Sequence, residues 1–414
     1  MSKLSFERLR DMIKEVMLSE SYSHLLERPE FLDEASILKN KYPFKAIYIF
    51  GPAGAGKGHV SEYLLNIPKD FQVSNPDERI EEVFPVFGIS MKFANSEEGG
   101  DAELETLQQK SRNILQGAER AHVANLISIA NPLVFDTTGE KVQKMAKRIQ
   151  AISKLGYDVA VFMINVPTEA SVERDVKRKR TVGKTRTTDI SQKYQKDVVQ
   201  HNGYYNALES MDNVTMLSSE IYNNIFNLGT GELLDKPTVI TPEMLPDDLN
   251  PEKNPDALKK EKATMEEAIK TLATWVSTPV ENPAGQALLK GMRSLVKKSG
   301  GKLGQNMNDL VIAMANPEFQ ADEAILAAAE HLSSLGGASV IARKAKTGDV
   351  EKVAGASQDA PYLQQAIRGK KELGGSTVRD MTGKTGPRRG LTQEESLDYD
   401  DLLVAIREVL ANEL

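Results

Sequence analysis

Residues 51–58, GPAGAGKG, place four glycines and one lysine between an apolar stretch with β-propensity and a segment with helical spacing. We refer to these eight residues as the glycine loop. A strand, a glycine-rich loop and a helix in this order are typical of the first unit of a parallel α/β sheet. No other feature of the chain constrains the fold as strongly.

Buried strands recur after the glycine loop, with charged helical stretches between them. From residue 44 to about residue 218 this alternation predicts a parallel sheet, because parallel strands need crossover connections. The five predicted strands are FKAIYIF, FQVSN, NPLVFDTT, YDVAVFMINV and NVTMLSS. We therefore expect an α/β fold, a parallel sheet of the P-loop NTPase type flanked by helices, with an additional mainly α-helical C-terminal region.

The length of 414 residues exceeds the usual size of one domain, so we expect more than one unit. Helical spacing, a cluster of prolines and glycine-rich basic stretches indicate the boundaries. The predicted units are an N-terminal helical arm (1–43), a domain around the glycine loop (44–234), a proline-rich linker (235–262), a helical bundle (263–342) and a flexible basic segment ending in an amphipathic helix (343–414).

The composition excludes several classes of site. The chain has no cysteine, which rules out disulfides, thiolate metal sites and cysteine nucleophiles. Lysine and arginine total 52 against 59 aspartate and glutamate, a net charge of −7, so any contact with nucleic acid is expected to be local. The N-terminal sequence lacks the uninterrupted apolar segment of a signal peptide, and no apolar run is long enough to cross a bilayer. We expect a cytoplasmic protein without membrane contact.

The glycine loop has the spacing of a phosphate-binding loop, with Gly51, Gly56 and Lys57 at the required positions. Glycines let the backbone fold around a phosphate with its amides inward, and the following helix adds positive potential at its N-terminus. Lys57 can then reach the β and γ phosphates. The alternative is a tight strand-to-helix turn with an incidental lysine. The residues expected to bind the nucleotide are Gly51, Gly54, Gly56, Lys57, Gly58 and His59.

One position departs from the usual phosphate-loop pattern. The residue after Lys57 is normally serine or threonine, whose hydroxyl contacts Mg²⁺, but here it is Gly58. The metal ion must then be held mainly by phosphates, water and a carboxylate from elsewhere in the chain.

The glycine loop resembles the phosphate loop of the adenylate-kinase-like small-molecule kinases, although those usually have threonine where this chain has His59. Three later segments are similar, in the same order, to motifs of the zeta-toxin group of P-loop kinases. These segments are SNPDERI (74–80), LVFDTTG (133–139) and LGYDVAVFMINVPTEASVERDVKRKR (155–180). The resemblance covers about residues 44–220. It implies an ATP-dependent kinase that uses ATP and Mg²⁺.

The segment after the second strand contains the candidate general base. The zeta-toxin resemblance implies that role for Asp77, and its position at the carboxyl edge of the sheet suits it. The alternative is that its charge simply complements the helix dipole. Arg79 is a candidate for binding the acceptor, or else a solvated side chain. The residues expected to have only helix-capping roles are Asn75, Pro76 and Glu78.

Asp136 follows the apolar run of the third strand, where phosphate-loop enzymes place the aspartate that organises Mg²⁺. The alternative is an aspartate that forms the turn before Gly139. Thr137 and Thr138 are candidates for binding the acceptor or the waters around the metal. The resemblance favours one of them without indicating which.

The basic segment ERDVKRKRTVGKTR follows the fourth strand. Arg174 and Arg178 are four residues apart on a predicted helix and share a face. Phosphoryl transfer needs cations over the transferring group, and the resemblance implies that Arg174 clamps this group from a lid. Arg178 is a weaker candidate for contacting the substrate. The alternative for both is a solvated face or a patch that contacts nucleic acid.

Two functional hypotheses remain open. In the first, the chain is a phosphotransferase with Lys57, Asp77 and Arg174 as catalytic residues and Asp136 as the metal ligand. The acceptor would be a hydroxyl on a small molecule, a nucleotide-sugar or a nucleotide. In the second, the chain is a nucleotide-binding structural or assembly component whose C-terminal region contacts a protein partner. The missing hydroxyl at Gly58 and the long C-terminal half favour the second hypothesis.

Overall fold

The computed structural model describes residues 37–86, 89–91, 102–178, 181–234, 240–307, 309–310, 313 and 322–335. The predicted N-terminal arm lies outside this part of the chain except for its last residues, which include a 3₁₀ turn at Ile37–Lys39. The predicted basic segment and its amphipathic helix lie entirely outside it.

All five predicted strands are present, and together with a sixth they form one parallel sheet. The order is β2-β3-β1-β4-β5, and the short β6 pairs with β4. This confirms the predicted P-loop NTPase type of fold. The strands are β1 (Lys45–Phe50), β2 (Gln72–Ser74), β3 (Leu133–Thr137), β4 (Asp158–Asn165), β5 (Val214–Met216) and β6 (Tyr222–Asn223).

Helices connect the strands and continue after the last of them. α1 (Lys57–His59) runs on into a π-helical turn, Val60–Leu64, and α6 (Lys184–Tyr194) runs on into another, Gln195–Gln200. A 3₁₀ turn covers Pro242–Met244. The other helices are α2 (Pro76–Val86), α3 (Ala102–Ser128), α4 (Val142–Lys154), α5 (Thr168–Val176), α7 (Gly203–Leu208), α8 (Ala257–Ser277), α9 (Pro283–Ser299) and α10 (Glu323–Ser334).

The sheet is buried on both faces, as the near-continuous apolar strands require. Successive side chains of β1 alternate between the faces, so that Tyr48 and Phe50 belong to one core and Ile47 and Ile49 to the other. The first core includes residues of α3, α4, α9 and α10, and the second includes residues of α8. Helices from the C-terminal part of the chain therefore cover both faces.

The position of α8 bears on the predicted organisation of the chain. This helix begins at Ala257, within the range predicted as a linker, and its Trp275 is buried in the core beneath the sheet. The predicted domain boundaries stay predictions, but the described C-terminal helices share the cores of the sheet. No helix in the described part of the chain combines the length and apolar character needed to cross a membrane.

Candidate active site

The carboxyl ends of β1, β2 and β3 lie at the same edge of the sheet, where ligands bind in open parallel sheets. The glycine loop follows β1 directly at this edge. In the β1–β3 register Ile49 is the partner of Asp136 and Phe50 is the partner of Thr137. The register therefore places the third-strand motif next to the glycine loop, as the sequence predicts.

Two glycines determine the shape of the loop. Gly54 and Gly56 have φ angles of 74° and 79°, in the left-handed region that disfavours other residues. A Cβ atom on Gly54 would lie 2.8 Å from the carbonyl oxygen of Ser171, and one on Gly56 would lie 2.5 Å from Nδ2 of Asn224. The loop is therefore packed tightly against residues that come later in the chain.

Three consecutive carbonyl groups of the loop each accept a hydrogen bond from a distant side chain. The C=O of one residue and the N–H of the next belong to the same trans peptide and point in opposite directions. A hydrogen bond that fixes the carbonyl on one side of the loop therefore also fixes the following N–H on the opposite side. Sequence reasoning identified only the arginine of this set. The bonds are Ser171 Oγ to Ala53 O (2.5 Å), Arg174 Nη1 to Gly54 O (3.1 Å) and Asn224 Nδ2 to Ala55 O (2.9 Å).

Lys57 lies close to both the loop and Asp136. Its Nζ donates to the carbonyl oxygen of Gly51 at 3.0 Å and lies 3.4 Å from Oδ1 of Asp136. The two side chains are 13% and 19% exposed, so ligands can reach them. The structure thus brings together the lysine and the carboxylate that were predicted to bind phosphate and metal.

Arg174 lies beneath the loop, on α5, and is only 4% exposed. No acceptor for its Nε or Nη2 groups lies among the described residues. Burial, and secondarily the positive charge of Arg178, lower the pKa of Arg174. The structure therefore buries the side chain of Arg174 against the loop, and its predicted role in clamping the transferring group from a lid stays a prediction. Arg178 is exposed nearby.

The position after Lys57 is open. A Cβ atom on Gly58 would have no neighbour within 4 Å, so the structure has room for a side chain at this position. The side chain of His59 is exposed, and its ring centroid lies 5.2 Å from that of Tyr63. His59 is therefore accessible beside the loop, and its contact with the nucleotide stays a prediction.

Asp77 lies in the first turn of α2, just past the end of β2. Its backbone N–H donates to Oδ1 of Asn75 at 3.1 Å, which confirms the predicted cap. Its side chain is 38% exposed, and its carboxylate lies 3.9 Å from Nη2 of Arg112. Asp77 is therefore accessible at the correct edge of the sheet, and its role as a base stays a prediction.

The side chain of Arg79 is buried, which rules out the alternative of a solvated side chain. It is 6% exposed and forms a buried ion pair with Glu119 of α3, whose other oxygen accepts a hydrogen bond from Ser74 Oγ at 2.8 Å. An arginine paired in this way is already neutralised by the protein. Arg79 thus joins α2 to α3, and its role in binding the acceptor stays a prediction.

Two further carboxylates belong to the edge of the sheet. Burial, and then repulsion by Asp136 and Glu119, raises the pKa of Glu78 above its usual value, although a hydrogen bond from Asn75 opposes this. Glu78 therefore lies within electrostatic reach of Asp136 and Glu119, beyond its predicted capping role. Thr138 donates a hydrogen bond to Glu140, which reduces its availability to an acceptor.

The groups around the loop fit a magnesium-bound triphosphate. They comprise one ammonium group, one carboxylate and a buried guanidinium with two N–H groups that have no partner in the described structure. Within the described ranges, no cluster of three or more His, Asp or Glu side chains could hold a metal ion alone. A metal at Asp136 would accordingly need oxygen ligands from phosphate and water, which suits Mg²⁺.

Residues 47–200 match the family model described as "AAA domain". This match confirms the P-loop kinase-like resemblance for that part of the chain. No curated protein matches the chain. Among solved structures, a chain of the PezAT chromosomal toxin–antitoxin system of Streptococcus pneumoniae is 15% identical, with a TM-score of 0.32, over 63% of this chain and 95% of that chain. So low a TM-score adds nothing to the fold or the function argued from the sheet and the loop.

Proposed function

We propose that the protein is an ATP-dependent phosphotransferase that transfers the γ-phosphoryl group of ATP to a hydroxyl group. The acceptor would be a small molecule, a nucleotide-sugar or a nucleotide. The observation that carries this proposal is the buried guanidinium of Arg174, whose Nε and Nη2 have no partner among the described residues and which lies against the glycine loop. A buried cation without a carboxylate partner is costly unless an anion binds beside it.

Each group at the loop has a distinct part in this reaction. The loop amides and Lys57 hold the phosphates, and Arg174, which bonds the carbonyl of Gly54 from beneath the loop, adds positive potential beside the transferring phosphoryl group. Asp136 is the protein ligand of the metal. Bound Mg²⁺ would neutralise charge on the phosphate oxygens.

Asp77 is the proposed general base. The acceptor oxygen forms the new bond to the γ-phosphorus, the bond between that phosphorus and the β–γ bridging oxygen breaks, and the hydroxyl proton passes to Asp77. The exposed carboxylate of Asp77 at the end of β2 is accessible to an acceptor.

The experiment is an acceptor screen with ATP labelled in the γ-phosphate. The wild-type protein is incubated with pools of sugars, nucleotide-sugars and nucleotides, and Lys57→Ala serves as the inactive control. Transfer by the wild type that is absent from Lys57→Ala supports the proposal. Binding of ATP without transfer to any pool contradicts it.

The second candidate is a nucleotide-binding component of a larger assembly. Gly58, which removes the hydroxyl that usually contacts the metal, favours it, and so do the C-terminal helices that cover both faces of the sheet. In this case the C-terminal region would contact a protein partner, and ATP would be bound without turnover. The same screen separates the two candidates. For either candidate we also propose a cytoplasmic location.

A further inference from the structure

Asn224 connects the glycine loop to the C-terminal half of the chain. It is 5% exposed, its Nδ2 donates to the carbonyl oxygen of Ala55, and its backbone N–H donates to the carbonyl oxygen of Asn165 at 2.9 Å. Its amide group also fills the space that a side chain at Gly56 would need. Asn224 thus contacts the loop immediately before Lys57, both by hydrogen bonding and by packing.

The residue before Asn224 is held by a buried carboxylate of α8. Glu261 is 1% exposed, and its two oxygens accept from the backbone N–H of Asn223 at 2.7 Å and from its Nδ2 at 2.9 Å. A carboxylate buried in this way is costly unless both oxygens are hydrogen-bonded. Glu261 therefore fixes the backbone and the side chain of Asn223 together.

The same polar chain continues into β4. Asn165 Nδ2 donates to Oδ1 of Asn223 at 2.8 Å, and Gln195 Nε2 donates to Oδ1 of Asn165 at 2.6 Å. A buried network in which each member has a partner makes its residues rigid. The residue before Asn224 is therefore held by α8 on one side and by β4 on the other.

We propose that Asn224 is a positioning residue for phosphate binding and that Glu261 of α8 sets its position, so that the C-terminal region forms part of the nucleotide site. By holding the carbonyl of Ala55 outward, Asn224 aims the N–H of Gly56 toward the inside of the loop, where a phosphate is bound. Only the expected effect of Asn224 on Mg·ATP binding rests on the proposed function; its effect on the loop backbone does not.

The first test removes the donor of Asn224. In Asn224→Asp the shape is kept but the N–H group is lost, and in Asn224→Ala both are lost. We expect both variants to bind Mg·ATP roughly tenfold more weakly than the wild type, since a lost hydrogen bond has about that value. The matched control is Asn227→Ala, since Asn227 is an exposed asparagine whose Oδ1 accepts from the backbone N–H groups of Gly229 and Thr230, away from the loop. Affinity is measured by calorimetry below the melting temperature of each variant.

The second test needs no ligand. Hydrogen exchange of the backbone amides in residues 51–60 is measured for the wild type, for Asn224→Asp and for Glu261→Gln, each as the full chain. The control is Glu267→Gln, which removes a carboxylate on the same helix that bonds Ser219 instead of Asn223. We expect several-fold faster exchange in the loop of Glu261→Gln and no change in Glu267→Gln.

The outcomes distinguish this inference from the proposed function. If the wild type fails to bind Mg·ATP while loop exchange still depends on Asn224 and Glu261, the phosphotransferase proposal fails and the positioning role stands. Equal loop exchange and equal Mg·ATP affinity in the wild type and Asn224→Asp would overturn the inference. It is also overturned if the Asn224 and Glu261 variants lower only the melting temperature, because that is a purely structural effect.

Discussion

The two ends of β1 each have a lysine beside an aspartate, but the two ion pairs differ in how far the protein buries and hydrogen-bonds their charges. At the amino end Nζ of Lys45 lies 2.8 Å from Oδ2 of Asp158, and the side chains are 3% and 6% exposed. At the carboxyl end, beyond the glycine loop, Nζ of Lys57 lies 3.4 Å from Oδ1 of Asp136, and both side chains are partly exposed. The first pair is closed to solvent, and the second is open.

The partners of the two pairs show what the difference means. The oxygens of Asp158 also accept from the backbone N–H groups of Glu281 and Asn282, each at 2.8 Å, and Nζ of Lys45 lies 4.6 Å from the centroid of the Trp275 ring. The protein therefore satisfies the charges of this pair. The charges of Lys57 and Asp136 at the glycine loop are only partly neutralised by the protein and stay partly exposed. This is how a ligand site differs from a structural ion pair.

The largest effect is expected from breaking the closed pair. Asp158→Ala leaves a buried ammonium group and two backbone N–H groups without their acceptor, which should cost about 3–5 kcal/mol of unfolding free energy. Asp136→Ala should cost less than about 1 kcal/mol, since its pair is partly exposed. Urea denaturation of both variants makes the comparison. Equal losses would show that the two pairs do not differ as described.

The next effect concerns turnover at the open end. If Asp77 is the base, Asp77→Asn should lower kcat by about 10²- to 10⁴-fold and leave Mg·ATP affinity unchanged. Asparagine keeps the size and much of the capping ability, so the variant isolates the lost charge. Glu81→Gln, on the same helix, is the control for charge alone. With an active preparation in hand, near-normal kcat in Asp77→Asn would remove Asp77 from the mechanism.

A smaller effect is expected from pH, through Glu261. Burial raises the pKa of Glu261 to about 7, and the negative charge of Glu220 adds to the rise. The hydrogen bonds from Asn223 and the positive charge of Lys260 oppose it. The unfolded chain ionises first, so the stabilising contribution is complete below about pH 4.5 and is lost as pH rises toward 7. The stability of Glu261→Gln relative to the wild type should therefore increase by up to about 3 kcal/mol between pH 4.5 and 8. Urea denaturation at both pH values tests this, and a constant difference would contradict it.

The smallest effect should come from restoring the missing hydroxyl. Gly58→Ser has open space for its side chain, and a hydroxyl there should tighten Mg·ATP binding by roughly threefold. Gly58→Ala is the control, because it also adds a Cβ atom and raises helix propensity but carries no oxygen. Calorimetry at fixed Mg²⁺ compares the two variants. If they bind alike, the metal does not approach this position.

Much of the fold could be predicted because the strands of a doubly covered parallel sheet are continuous apolar runs. β6 was missed because two residues are too few for any periodic pattern. The beginning of α8 was missed because the prolines just before it suggested an extended linker. In both cases tertiary contacts decide the structure, through pairing with β4 for the strand and packing beneath the sheet for the helix.

The site was predictable only where a motif reports it. The glycine loop and Asp136 follow from spacing and from the position at a strand end, whereas Ser171, Asn224 and Glu261 are single polar residues that no local pattern distinguishes. Their hydrogen bonds to Ala53, Asn223 and Ala55 join residues more than 30 positions apart in sequence. The ion pair of Arg79 could not be predicted for the same reason, since its partner lies in α3, a helix that matched no motif.

The most direct test compares the two lysines in one experiment. Lys57→Ala and Lys45→Met are each measured for Mg·ATP affinity and for unfolding free energy. We expect Lys57→Ala to lose roughly 10- to 100-fold in affinity, since hydrogen bonds to charged groups have about this value, with stability nearly unchanged. Lys45→Met should lose stability and, while folded, bind Mg·ATP as the wild type does. Unchanged affinity in Lys57→Ala, or lost affinity in folded Lys45→Met, would contradict the assignment of the open end of β1 to the nucleotide.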